Sequence, residues 1–140
     1  MIKFTYYGDI KGKGRPRFRN TGHFVQTYTD SKTQDYEYSL KEAYLCANQE
    51  AYLDPTTPLK AYVQIYHQIP KSVSKKKRNE MLEGNELPVK KPDVDNILKS
   101  IFDSLNKVAY ADDTQIVEVT VAKHYAEMPR IDIKIDKIER

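Results

Sequence analysis

A single cysteine, Cys46, in a chain of 140 residues excludes an intramolecular disulfide. Ala43, Tyr44 and Ala47 surround it at helical spacing, so the sequence predicts a thiol packed against the core rather than a nucleophile. No segment approaches the about 20 consecutive apolar residues of a membrane-spanning helix. The opening MIKFTYYGDI alternates in polarity instead of forming an apolar run, so a cytoplasmic protein with no membrane partner is expected. Repeats and linkers are also lacking, and the length fits one domain covering residues 1–140. Hydrophobic residues make up 39% and charged residues 31%, which is lean but enough to bury a core and excludes a disordered chain.

A net charge of +3 is too small to argue for a polyanionic partner, but its distribution is uneven. Lys11, Lys13, Arg15, Arg17 and Arg19 lie between positions 11 and 19, and Lys71, Lys75, Lys76, Lys77 and Arg78 between 71 and 78. Clusters of this kind are either solvated surface or phosphate-binding patches, and the charges alone do not decide between the two.

Periodicity supplies the elements. Ile2, Phe4 and Tyr6 alternate with polar neighbours as in a half-buried strand. Asn20-Thr21-Gly22, flanked by Arg15–Arg19 and His23–Tyr28, predicts a basic hairpin, with Gly22 able to take the turn's positive φ. Tyr36, Leu40, Ala43, Tyr44 and Ala47 predict an amphipathic helix over 32–50. Val63, Ile65, His67 and Ile69 form one face of a further strand, and 74–83 reads as a short charged helix ending at Gly84. Val94, Ile97, Leu98, Ile101, Phe102 and Leu105 keep a helical rhythm without a miss. Two strands follow, 116–123 with its alternating valines buried in the sheet, and 130–137 with Ile131, Ile133 and Ile135 on one face. The fold class is α+β, a mixed or antiparallel sheet packed against two main helices.

The chemistry concentrates in KKPDVDNILKSIFDSL and NKVAYADDTQIVEV. Pro92 disfavours helix at Lys91, so the 94–105 helix starts just after it with Asp93 or Asp95 as N-cap. Capping needs one carboxylate oxygen; two aspartates beside Asn96 leave surplus negative charge that calls for a cation. Asp112 and Asp113 precede a strand whose pairing could return them to the same helix end. No His or Cys stands nearby, and hard oxygen donors suit Mg²⁺, with Mn²⁺ as a substitute, rather than Zn²⁺. Phosphodiester hydrolysis is the chemistry such a site serves. Lys99, one turn beyond Asp95, either stabilises charge on the reacting phosphate or forms an i,i+4 pair with Asp95. An EF-hand is excluded, because Ile97 and Leu98 stand where that loop needs a ligand and a glycine. The DxD of glycosyltransferases would need a nucleotide-binding domain that this chain has no length for.

KPDVDNILKSIFDSLN together with YADDTQIVEV resembles the signature of the RusA Holliday junction resolvases. GKGRPRF, YTDSKTQDYEYSL and IPKSVSKKKR extend the resemblance more loosely over most of the chain. It implies a homodimeric, Mg²⁺-dependent endonuclease that nicks two opposed strands of a four-way DNA junction. It also implies roles by position: Asp93, Asp95 and Asp113 as catalytic metal ligands, Lys99 as a catalytic lysine, and Asp112 as a less decisive match. Under this reading Lys11, Lys13, Arg15, Arg17, Lys75, Lys76, Lys77 and Arg78 contact backbone phosphates. A nuclease selective for flaps or forks, and a non-catalytic DNA-binding protein, are the alternatives. The second fits less well, since aspartates on a DNA-binding face repel phosphate unless a metal intervenes.

Overall fold

The computed structural model describes residues 1–13, 17–20, 25–28, 31–47 and 50–139, with side chains described outside 14–30. The predicted turn at Thr21-Gly22 and Arg15 lie outside the described residues, as do the side chains of Arg17 and Arg19. Four strands, β1 (Ile2–Tyr7), β4 (Leu59–Gln68), β5 (Ile116–Ala126) and β6 (Arg130–Lys137), form one mixed sheet in the order β1-β6-β4-β5. β6 runs antiparallel to both β1 and β4, and β5 runs parallel to β4. Two short strands, β2 (Arg17–Asn20) and β3 (Val25–Tyr28), pair separately as the expected antiparallel hairpin. Three helices complete the chain: α1 (Ser31–Ala47), α2 (Lys75–Leu82) and α3 (Val94–Leu105). The α+β class is as the sequence predicts.

One face of the sheet carries the core. Ile2 and Phe4 of β1, Leu59, Ala61, Val63 and Ile65 of β4, and Ile131, Ile133 and Ile135 of β6 are buried under α1 and α3. The helices contribute Tyr36, Leu40 and Tyr44, and Ile97, Ile101 and Leu105. At about 1.5–3 kcal/mol for each fully buried large aliphatic side chain, the three from α3 outweigh any local helix propensity, so α3 is fixed to the sheet by this stripe. Phe4 and Tyr44 meet edge to face at 5.9 Å, as do Tyr6 and Tyr36 at 5.5 Å, locking α1 over β1.

Two expectations are corrected. Cys46 is exposed. The buried face of α1 runs through Tyr36, Leu40 and Tyr44, and a residue two positions past Tyr44 is rotated by about 200° onto the opposite side. Val117 and Val119 are likewise exposed rather than buried. β5 is an edge strand, neighboured only by β4 among the described strands, and Val117 and Val119 lie outside the buried cluster that Val121 packs against. Alternation identifies a strand but not whether a helix lies over its apolar face.

Candidate active site

The segment before α3 is held from two sides. Lys123 of β5 donates from Nζ to the carbonyls of Lys90 at 2.6 Å and Pro92 at 3.0 Å. From the other side the amide of Lys13 donates to the Asn96 side-chain Oδ1 at 3.0 Å. Gly12 makes this approach possible, since a Cβ there would stand 2.2 Å from Asn96 Nδ2 and 3.1 Å from Pro92 Cβ. Asn96 therefore anchors the basic N-terminal loop to the start of α3.

Asp93 takes the N-cap backbone conformation, but its side chain makes no capping hydrogen bond. Asp95 lies in the first turn, and both carboxylates are exposed. The two side chains act on each other, which holds the Asp93 carboxyl below the usual carboxylate range and pushes that of Asp95 above it. Lys123 and Lys91 add to the lowering at Asp93, and the charge of Asp93 adds to the raising at Asp95. A divalent cation between two such carboxylates would offset the repulsion of their charges.

Asp113 opens a single 3₁₀ turn, Asp113–Gln115, ahead of β5. Burial raises its carboxyl, the neighbouring Asp112 and then Asp103 raise it further, and Lys99 opposes them. Asp113 thus shares its surroundings with Asp103 and Lys99, further along α3, while Asp93 and Asp95 share theirs with Lys91 and Lys123. Among the described residues no three acidic or imidazole side chains are gathered closely enough to form a complete metal cage. Asp93 and Asp95 act on each other, and Asp113 is not gathered with them into a group of three among the described residues.

Lys99 pairs with Asp103 at 3.6 Å, not with Asp95. Lys13 approaches the same Asp103 carboxylate at 3.3 Å and also bonds to Glu37 of α1, so its ammonium ties α1 to α3. In the second basic segment Ser74 caps α2 by accepting from the Lys77 amide at 3.2 Å. Lys77 pairs with Glu86 at 3.5 Å and Arg78 with Glu127 at 3.2 Å. Lys75 and Lys76 are exposed and form no ion pair among the described residues.

With this geometry in place, comparison with known proteins is decisive. Residues 8–136 match the endodeoxyribonuclease RusA family. The chain belongs to that family. It is 35% identical over 139 residues to "Uncharacterized protein YqaN" of Bacillus subtilis (strain 168), covering 98% of this chain and 96% of that protein. It is 29% identical over 102 residues to "Crossover junction endodeoxyribonuclease rusA" of Lactococcus phage r1t, covering 72% of this chain and 71% of that protein. As a RusA endodeoxyribonuclease, the chain is a hydrolytic enzyme.

Sequence reasoning passes over three residues that hold these segments in place. Gln115 is buried, and its Oε1 accepts from the amides of Ala111 at 2.8 Å and Asp112 at 3.0 Å. Its Nε2 donates to the carbonyls of Tyr52, Asp54 and Thr57 at 2.9–3.2 Å, fastening the Asp112-Asp113 turn to the 52–57 loop. Tyr110, fully buried, donates to the Phe102 carbonyl at 2.6 Å and holds the same turn against α3. Lys123 acts from across the sheet, where no local pattern relates it to Pro92. Gln115 lies within YADDTQIVEV, and a polar residue at the buried end of a strand is the signal that could have found it.

Proposed function

We propose that this RusA-family protein is a Mg²⁺-dependent Holliday junction resolvase of DNA recombination and repair. It works as a single domain, residues 1–140, in a cytoplasmic homodimer, with Mn²⁺ able to replace Mg²⁺. The observation that carries the reading is the exposed Asp93–Asp95 pair at the α3 N-terminus, with Asp93 unused as a cap. The donor chemistry fits the ion: hard carboxylate oxygens, no thiolate, and an open side from which substrate oxygens and water can complete the coordination. Asp93, Asp95 and Asp113 would hold it, with Asp113 brought in as DNA and cation bind. The bound ion would activate water for in-line attack and offset charge on the scissile phosphate.

The chain's own residues do the remainder. Asp95 and Asp113 must shed the protons that their surroundings favour. Lys99, held by Asp103, presents its ammonium beside Asp113 to charge developing in the transition state. Lys11, Lys75, Lys76, Lys77 and Arg78, with Arg15 and Arg17 of the hairpin region, would bind backbone phosphates. Lys13 would contribute both charge and the anchoring of that loop. A four-way junction has two-fold symmetry, and paired nicks require two sites related by a two-fold axis, which favours a dimer.

The test is incubation of the purified protein with a fixed four-way junction, with and without Mg²⁺, beside a linear duplex and a flap of equal length. Symmetric paired nicks in the junction alone, dependent on Mg²⁺, are expected. Equal cutting of flaps would replace the resolvase reading with a broader structure-selective nuclease. Metal-independent binding without cutting would refute both.

A further inference from the structure

Beyond the acidic pair, at the far end of β4, lies a cleft of about 430 Å³ whose lining includes His67, Lys71, Lys90, Lys91 and Asp9. Three lysines face one carboxylate, so its charge favours an anion. His67 lies on the buried side of β4, only 5% exposed, and its Nε2 has no hydrogen-bond partner among the described residues. Burial, then the charges of Lys123 and Lys90, lower its pKa to about 4, so near neutral pH it is an uncharged imidazole with one N–H to give. A buried polar atom without a partner is uncommon in a folded protein, and Nε2 itself has almost no surface open to the cleft.

The cleft and the acidic pair share a wall. Lys90 and Lys91 directly precede Pro92 and Asp93, and the Lys123 bonds to the Lys90 and Pro92 carbonyls hold that stretch on β5. Lys90 also lies 5.5 Å over the Tyr125 ring, which orients its stem.

We propose that this cleft is a binding subsite for a backbone phosphate next to the one that is cut, with Lys71, Lys90 and Lys91 supplying charge and the His67 ring forming part of its wall. Asp9 offsets one of the three positive charges and keeps the subsite from holding DNA irreversibly. The identity of the anion as DNA phosphate rests on the nuclease reading above; the cleft's preference for an anion does not.

Two measurements on the full chain test it. In the first, the His67 imidazole signals are followed by NMR as inorganic phosphate is added against chloride of equal ionic strength, with His124 as internal reference. A saturable His67 shift is expected, absent in the Lys71→Ala/Lys90→Ala double variant, and a metal-free four-way junction should displace the phosphate. No His67 response to phosphate or junction would overturn the subsite. A phosphate response that the junction neither competes with nor reproduces would assign the cleft to free phosphate and overturn the DNA assignment. In the second, the same double variant should bind the junction about fivefold more weakly, with a salt slope shallower by about 1–2. Unchanged affinity and slope would also overturn the proposal. Failure of the parent chain to cut any DNA would refute the nuclease reading alone, because the junction's effect on His67 is read without cleavage. Both lysines are exposed, so their removal leaves the core intact.

Discussion

The Lys99 ammonium lies 3.6 Å from the carboxylate of Asp103, one turn further along α3. This pairing turns Lys99 away from Asp95 and toward the turn that carries Asp113, whose carboxyl it stabilises in the charged form. Asp103 also holds the half-buried Lys13 at 3.3 Å, so one carboxylate positions the lysine of the site and the basic loop together.

Asp103→Asn should therefore act on two properties. Without its bond to Lys13 the fold should be destabilised by about 1.5–3 kcal/mol, the usual worth of a hydrogen bond to a charged group. Release of Lys99 should slow single-turnover cleavage several-fold, with junction affinity changed less. Urea unfolding and quenched-flow cleavage of one preparation measure both. Loss of stability with an unchanged cleavage rate would make Asp103 purely structural.

Asp95→Asn should abolish cleavage while keeping or tightening junction binding, since a negative charge facing phosphate is removed. Asp95 has a folded-state pKa raised above its unfolded value by Asp93. A carboxyl raised on folding favours the fold at low pH and opposes it once pH has risen through the folded value. Without metal at neutral pH the variant should therefore melt higher than the parent, and the difference should shrink as pH falls into the ordinary carboxylate range. Normal cutting by the variant would remove Asp95 from the metal site.

Protons also compete with the cation. Asp95 and Asp113 both hold their protons more tightly than an ordinary aspartate. Cleavage at subsaturating Mg²⁺ should rise with pH from the ordinary aspartate value of about 3.9 upward, and added Mg²⁺ should move that rise to lower pH. A pH profile indifferent to Mg²⁺ concentration would contradict this.

Gln115→Leu should leave two amides and three carbonyls without the side chain that joins them. Unsatisfied buried groups cost about 1–3 kcal/mol each, and partial rehydration of the exposed loop 52–57 should hold the total near 3 kcal/mol. Cleavage should fall further than stability predicts, since Asp113 loses its support. Full activity in folded Gln115→Leu protein would show that the turn is held by Tyr110 alone.

Lys75→Ala, Lys76→Ala and Lys77→Ala combined should weaken junction binding and lower the slope of log affinity against log salt by about 0.9 for each phosphate no longer neutralised. Filter binding from 50 to 200 mM salt measures this, and an unaltered slope would return α2 to ordinary solvated surface.

Local patterning in the chain settles the elements and the chemistry of one end of the site. An unbroken apolar stripe makes α3 certain, alternating isoleucines specify β6, and Asp93 and Asp95 stand close in the chain at a helix start, where the extended N-cap backbone of Asp93 frees the pair from the opposite-side rule for helical residues two apart. Which strand stands at an edge is settled only by packing, and for that reason Val117 and Val119 of β5 are exposed and Cys46 faces outward. Packing also turns Lys99 to Asp103, fastens the Asp113 turn through Gln115, and lets Lys123 clasp Pro92 from β5. Most of these partners lie far apart in the chain, and even the Lys99 pair had two possible partners one turn away on either side. Sheet order and helix packing choose among them, and no short-range pattern encodes that choice.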